Sequence, residues 1–289
     1  MSDISLTAGM RNNLLSLQNT PPLQGKTQER LASGKKVNSA LDNPTNFFAA
    51  QSHNNRANDL TNRKDGMSEA VQMVKAADAG ISGITALIES AKGVAQAALA
   101  TESSTDRAAY SATFDTLMTQ VSQLASDSGY RGTNLLTGAK QTVEFATGTN
   151  DATLQISGFT ATAKGLSISN ASNAGTGGFS STISWGTAGT TTGAANTANI
   201  QSSSAQLESA LTSLRSESTK LSANLSVVTT RQSFTDNMIN TLQTGADNLT
   251  LADMNKEGAN MLMLQTRQQL GTTSLSMASQ AAQSVLRLF

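Results

Sequence analysis

The sequence predicts a mainly α protein: an elongated coiled-coil helical bundle formed by N- and C-terminal segments, with a small β hairpin or meander and an exposed Gly/Ser/Thr-rich loop. Three observations predict this fold. Apolar residues recur at heptad spacing over long stretches. The spacing changes to two between residues 142 and 169. Only 4% of the 289 residues are aromatic, which suits thin helix seams better than a thick globular core.

The two ends of the chain carry apolar stripes that neither end can bury alone. We therefore expect them to pack on each other or on neighbouring molecules, and Gly271 is small enough to let another helix approach closely. The candidate buried residues of these two stripes are Leu14, Leu17, Leu264, Leu275, Val285 and Phe289.

Two prolines interrupt the N-terminal stripe. Interior proline costs a helix about 3 kcal/mol, so Pro21 and Pro22 predict a kink near residues 19–21. Thr20 is then the cap of a second helical segment and Pro21 its first residue. Gly34 is expected to end that segment, since glycine is the usual residue just beyond a helix.

Two helical rows predict the bundle. A row that begins at Leu60 continues through Met67, Val74 and Ile81, and a helix over residues 110–124 should pack antiparallel to it. The second row runs from residue 200 to 249, a helix of about 50 residues and roughly 75 Å. Its predicted seam residues are Leu207, Leu214, Leu221, Val228 and Leu242, and Thr235 interrupts the row.

A period of two predicts the β region. It covers Val143 and Phe145, then Leu154 and Ile156, with a third possible strand at residues 166–168, and Gly148, Asn150 and Asp151 supply a turn. Residues 171–199 are mostly Gly, Ser, Thr, Ala and Asn, so they predict a short exposed surface loop with at most one short strand.

Composition excludes several kinds of function. The 20 basic and 20 acidic residues balance, which argues against a nucleic-acid partner. Cysteine is absent and His53 is the only histidine, so we predict no catalytic, cofactor-binding or metal site, no cofactor and no enzymatic activity. Neither a cleaved signal peptide nor membrane insertion is expected.

Motifs at both ends resemble those of the bacterial flagellins. Residues 31–42 are similar to the N-terminal signature of this family, in which a Leu-x-Ser-Gly helix end precedes a hydrophobic-Asn-x-Ala-x-Asp turn. Residues 64–68, 76–81 and 129–136 resemble the continuation of that block, and residues 252–255 and 283–289 resemble the C-terminal one. The alphaproteobacterial members with a short central region are the most similar in style.

The resemblance implies a secreted structural subunit that polymerises into the extracellular flagellar filament for motility. Residues 1–40 with 250–289 would form the filament core. Residues 41–170 with 200–249 would form the coiled-coil bundle with its small β region, and 171–199 the variable surface loop. Expected partners are copies of the chain itself, the flagellar export apparatus with an export chaperone, and the filament cap and junction proteins.

One departure from the family concerns the innate flagellin receptor. The recognised surface of the family carries an Arg-x-Arg-Glu-Leu run on the first bundle helix. The matching positions here form a degenerate receptor surface that predicts weak or absent activation: Ser90, Ala91, Lys92, Gly93 and Val94.

The sequence leaves three alternative functions. A hook-filament junction protein shares the same terminal plan and is the nearest alternative. A cytoplasmic coiled-coil adaptor would not need apolar stripes at both extreme ends. An enzyme in the middle is disfavoured because residues 165–207 contain no charged side chain.

Overall fold

The computed structural model describes residues 8–145, 152–171, 184–186 and 193–286. These residues form five helices and two strands, which confirms the predicted mainly α fold with a small β hairpin. In chain order the elements are α1 (Ala8–Ser33), α2 (Pro44–Ala100), α3 (Ser104–Asp127), β1 (Lys140–Glu144), β2 (Thr153–Ser157), α4 (Gly193–Thr250) and α5 (Met254–Leu286).

The chain separates into two compact units. One unit, here called the terminal unit, contains residues 1–57 and 240–289, and the other, the bundle unit, contains residues 58–239.

Polar contacts show that α2 and α4 run antiparallel in the bundle unit. Near the C-terminal end of α2, the Lys92 ammonium lies 2.8 Å from a Glu208 carboxylate oxygen. Closer to its N-terminal end, Lys64 pairs with Asp236 at 2.6 Å. The two residue numbers of each pair sum to 300, so one antiparallel register holds across both contacts. Between these pairs the apolar rows of α2 and α4 are buried.

Helix α3 packs antiparallel to the C-terminal half of α2, as predicted. A Cβ at Gly83 would meet the Leu124 side chain at 2.8 Å, so only glycine permits this approach without a shift. At the other end of α3, Arg107 is buried and its Nε donates to the Ala98 carbonyl at 3.2 Å and to the Thr101 carbonyl at 2.9 Å. A cation at the C-terminus of α2 is favourable for the helix dipole.

The β region is a two-stranded antiparallel hairpin. Val143 pairs with Leu154, and Gln141 pairs with Ile156. Val143 and Ile156 are buried, so the predicted period of two places one face against the core. Arg231 of α4 lies 5.3 Å from the centroid of the Phe145 ring, a cation–π contact. The predicted turn residues Gly148, Asn150 and Asp151 lie outside the described residues.

Two expectations about the central region are wrong. A third strand at residues 166–168 does not form: the chain turns there, Ser167 has a φ of 59°, and the amide of Leu166 donates to the Thr162 carbonyl. The expected surface loop is also not wholly exposed, because Trp185 is fully buried. Its ring lies 4.7 Å from that of Phe114, its Nε1 donates to the Ser203 hydroxyl at 2.9 Å, and α4 begins at Gly193.

Helix α1 is continuous through both prolines, so the predicted division into two segments is also wrong, and the kink near residues 19–21 stays a prediction. The two missing amides leave helix carbonyls without their usual donors. Close to this point, the Thr20 hydroxyl donates to the Ser16 carbonyl at 2.8 Å, so the residue predicted to cap a new segment bonds back to the preceding turn instead. As predicted, Gly34 follows the helix end, with a φ of 69°.

Within the described residues, one helix passes a length and composition test for a membrane span. It is α2, in which an 18-residue window has a mean hydropathy of 1.2 and 44% of that window is buried inside the protein. The core helices of proteins that never enter a bilayer pass the same test, so this is weak evidence for a membrane span.

Candidate assembly surface

Helices α1 and α5 of the terminal unit form an antiparallel pair. At one end the Asn13 amide donates to the Ser274 hydroxyl at 2.8 Å, and at the other Arg30 donates to Glu257 at 3.2 Å. Both pairs of residue numbers sum to 287, so the register is uniform. Between them, a Cβ at Gly271 would meet the Leu17 side chain at 2.6 Å, so glycine permits the close approach expected from the sequence.

Three of the four buried residues of this pair are polar or charged, and the apolar Leu17 and Leu275 are only half-buried. Thr20 and Thr27 are the buried residues that α1 contributes, and Glu257 and Leu264 are those of α5. Four buried positions of this kind remove little apolar surface from water, and apolar burial is the dominant favourable term in folding. The pair is therefore weakly stabilised by its own seam.

The outward residues of the pair are, in contrast, large and apolar. We call the following set the outer apolar residues: Leu14, Leu15 and Leu23 of α1, and Leu262, Met263, Leu270 and Met277 of α5. Each of them is between 37% and 66% exposed. Met263 and Leu270 also line a groove of about 570 Å³ beside Leu17 and Thr20. Exposed apolar patches of this kind mark surfaces that bind other macromolecules.

A partly buried ion pair fixes the register of the seam. The Arg30 and Glu257 side chains are 30% and 9% exposed, and Arg30 Nε and Glu257 Oε2 have no hydrogen-bond partner within the described part of the chain. The free energy needed to desolvate two charges is about as large as the attraction between them. Removing one partner would leave the other charge buried and unpaired. The pair therefore specifies alignment more than it adds stability.

The connection after α1 is a hydrogen-bonded turn. The Asp42 carboxylate accepts the amides of Asn38 at 3.1 Å and Ser39 at 3.2 Å, and the Lys26 ammonium lies 3.4 Å away. These amide hydrogen bonds, with a smaller effect from Lys26, lower the pKa of Asp42 from its usual 3.8. The amide of Lys36 donates to the Thr250 carbonyl at 2.7 Å, which joins this turn to the end of α4.

The six candidate buried residues of the terminal stripes, which the flagellin resemblance makes the expected polymerisation core, lie in different environments. Leu264 is buried in the seam, Leu17 and Leu275 are half-buried, and Leu14 is 37% exposed. Val285 lies on α5, but its side chain is outside the described residues, as is the whole of Phe289. Sequence reasoning missed most of the outer apolar residues, although the seven-residue steps from Met263 to Leu270 to Met277 could have revealed one line of them.

The predicted seam residues of the bundle lie mostly in the interior. Leu242, near the end of α4, is half-buried, and Thr235 is buried in the row that it was expected to interrupt. The remaining predicted residues are all buried: Leu60, Met67, Val74, Ile81, Leu207, Leu214, Leu221 and Val228.

The residues of the degenerate receptor surface differ in how far they are exposed on α2. Ser90 and Gly93 are exposed, Lys92 and Val94 are half-buried, and Ala91 is fully buried. Lys92 is the only cation among them. Its ammonium donates a hydrogen bond to the Glu208 carboxylate, and this bond, together with the positive charge of Lys92, lowers the pKa of Glu208.

The described ranges contain no cluster of metal-ligating side chains. No group of three or more His, Asp or Glu residues is placed to hold a metal ion among residues 8–145, 152–171, 184–186 and 193–286. The Cδ2 atom of His53 lies 3.8 Å from where a Cβ on Gly245 would stand, so this side chain lies against the C-terminal part of α4.

Comparison with known families agrees with a structural, self-associating helical protein. The bacterial flagellin N-terminal helical region matches residues 4–141, and the bacterial flagellin C-terminal helical region matches residues 196–289. The flagellins FljO and FljM of Caulobacter vibrioides are each 30% identical to the chain, over all of it and 99% of their own length. A Brucella melitensis flagellin is 26% identical over the same shares.

The chain therefore belongs to the bacterial flagellins, and its relatives make it one of the alphaproteobacterial type. It is a structural subunit of the extracellular flagellar filament, and nothing in these matches favours the hook-filament junction protein.

Proposed function

We propose that the α1–α5 pair is the part of this flagellin that joins subunits, and that neighbouring copies bury its outer apolar residues. The observation that carries the proposal is the polarity of the pair: three of its four buried residues are polar or charged, while seven leucines and methionines are exposed on its outer surface. A helix pair that stood alone in water would show the reverse pattern.

Assembly of this kind supplies the burial that the monomer lacks. Each large apolar side chain that becomes fully buried contributes roughly 1.5 to 3 kcal/mol, before the entropy of ordering is subtracted. Several outer apolar residues per subunit are thus enough to drive addition. Of the six proposed polymerisation residues, Leu14 already belongs to this set, and Leu264 is already buried in the seam of the isolated chain. The remaining four add to the set: Leu17, Leu275, Val285 and Phe289.

We assign different roles in the filament to different parts of the chain, according to which residues each part buries by itself. We assign the filament core to residues 1–40 with 250–289, and the supporting bundle to residues 41–170 with 200–249. Residues 171–199 are the variable segment, anchored through Trp185. The bundle seam residues hold each subunit rigid, since they are buried without help from a neighbour.

The remaining partners follow from membership in the family. Subunits are exported through the flagellar export apparatus with a chaperone, they add beneath a cap protein, and junction proteins connect the filament to its base. The protein has no enzymatic role in this proposal and needs no cofactor.

Removal of the last nine residues, 281–289, tests the proposal. The truncated chain should stay soluble and unfold like the full chain in its bundle unit, yet fail to polymerise, because one end of the α1–α5 pair is lost. Full-length protein under the same conditions is the control. Filaments of normal length from the truncated chain would overturn the proposal.

A further inference from the structure

We propose that Met263 and Met277 are oxidation sites at which peroxides control filament assembly. The inference rests on the proposed function, because it requires the outer apolar residues to become buried between subunits.

The two methionines lie on one line of α5. Met263, Leu270 and Met277 follow each other at seven-residue steps, which places them on the same helix face. They are 59%, 65% and 60% exposed. Met67 and Met118, in the core of the bundle unit, are in contrast fully buried. Met263 and Met277 are therefore more accessible to a dissolved oxidant than these two core thioethers.

The reaction needs only the thioether and the peroxide. The sulfur attacks one oxygen of hydrogen peroxide, the O–O bond breaks, and the products are a methionine sulfoxide and one water molecule. Sulfur loses two electrons and the peroxide gains them. A methionine sulfoxide reductase with two thiols reverses the step and yields the thioether, a disulfide and water. Because the chain has no cysteine, its methionines are its only sulfur groups.

The modification changes the polarity of the surface without disturbing the isolated subunit. In the free chain a sulfoxide at Met263 or Met277 stays in contact with water, so the fold is not penalised. In an assembled filament the same S=O group would be buried in an apolar contact without a donor, which is unfavourable. Oxidised subunits should therefore remain folded and soluble but add poorly to a filament.

The first experiment measures polymerisation of the full-length chain before and after dilute hydrogen peroxide. The critical concentration should rise about tenfold or more and return after treatment with methionine sulfoxide reductase and dithiothreitol. If the untreated chain fails to polymerise, the proposed function is wrong. If the treated chain carries both sulfoxides and polymerises as well as untreated protein, only the present inference is wrong.

Substitutions separate these two sites from the other methionines. The double variant Met263→Leu with Met277→Leu should polymerise normally after peroxide treatment. Met254→Leu is the matched control: Met254 is 48% exposed at the start of α5 but lies off the line, so this variant should remain as sensitive as the original chain. Equal peroxide sensitivity of the double variant and the control would overturn the inference.

A measurement on the unaltered chain decides the matter if the double variant does not assemble. Mass spectrometry of peroxide-treated subunits should find sulfoxide at Met263 and Met277 in the free chain, with both protected in preformed filaments. Met67 and Met118 should be protected in both states. Equal oxidation of Met263 and Met277 in filaments and free subunits would contradict the inference.

Discussion

Leu270→Gln tests the role of the outer apolar residues most simply. Leu270 is 65% exposed in the isolated chain, so about two-thirds of its side chain remains to be buried in a filament. At roughly 1.5 to 3 kcal/mol for full burial, that share contributes about 1 to 2 kcal/mol to each addition step. Loss of this term raises the critical concentration about five- to thirtyfold, and burial of the glutamine amide raises it further.

The same change should leave the free energy of unfolding of the isolated subunit nearly unaltered. Leucine and glutamine have nearly equal helix propensities, and surface substitutions usually alter the free energy of unfolding by less than about 0.5 kcal/mol. Sedimentation of polymerised protein gives the critical concentration, and urea unfolding followed by circular dichroism gives the stability of the subunit.

Leu207→Ala is the control with the opposite expectation. Leu207 is fully buried in the bundle unit, so its truncation should lower the free energy of unfolding by about 2 to 5 kcal/mol. A critical concentration of Leu270→Gln equal to that of the original chain would refute the reasoning. So would a loss of subunit stability in Leu270→Gln as large as in Leu207→Ala.

Three further predictions concern other parts of the chain. Trp185→Ala should lower the free energy of unfolding by about 3 to 5 kcal/mol, because it empties the contact with Phe114, and a loss below about 1 kcal/mol in urea unfolding would contradict this. The lowered pKa of Asp42 means that the turn loses stability as the pH falls through that pKa, below 3.8; Asp42→Asn should abolish that part of the acid dependence, and an unchanged acid-unfolding curve would count against it. The degenerate receptor surface around Lys92 should give weak or no signal in a cell reporter assay for the innate flagellin receptor, and a strong signal would be incompatible with it.

The helices were predictable because their apolar rows are long and regular. Repetition over several heptads from Leu60 and from Leu207 outweighs any single exception, and even the polar Thr235 is accommodated inside its helix. The hairpin was predictable from its period of two, since Val143 and Ile156 alternate with polar residues along their short strands.

Isolated residues were harder to place. Trp185 lies in a run of Gly, Ser and Thr that predicts an exposed loop, and its burial depends on Phe114 and Ser203, which are distant in sequence. The continuity of α1 through Pro21 and Pro22 was equally hard to predict. The local sequence shows the cost of a proline inside a helix, but it does not show the contacts of α1 with α5 that offset this cost.

The candidate assembly surface could be predicted only in part. Terminal stripes that one chain cannot bury were evident from the sequence, but which side of each stripe faces the paired helix was not. Gly271 indicated the close approach to Leu17, whereas the polar seam through Thr20 depends on the register that Arg30 and Glu257 specify. Seam residues and outward residues differ by a rotation of the helix, which a one-dimensional pattern does not determine.

The most direct test of the account is electron cryomicroscopy of filaments grown from the purified full-length chain. The account predicts that α1 and α5 lie inside the filament, with Leu14, Leu262 and Leu270 in contact with side chains of neighbouring subunits. Filaments in which these leucines face solvent, or in which neighbours meet only through the bundle unit, would contradict it.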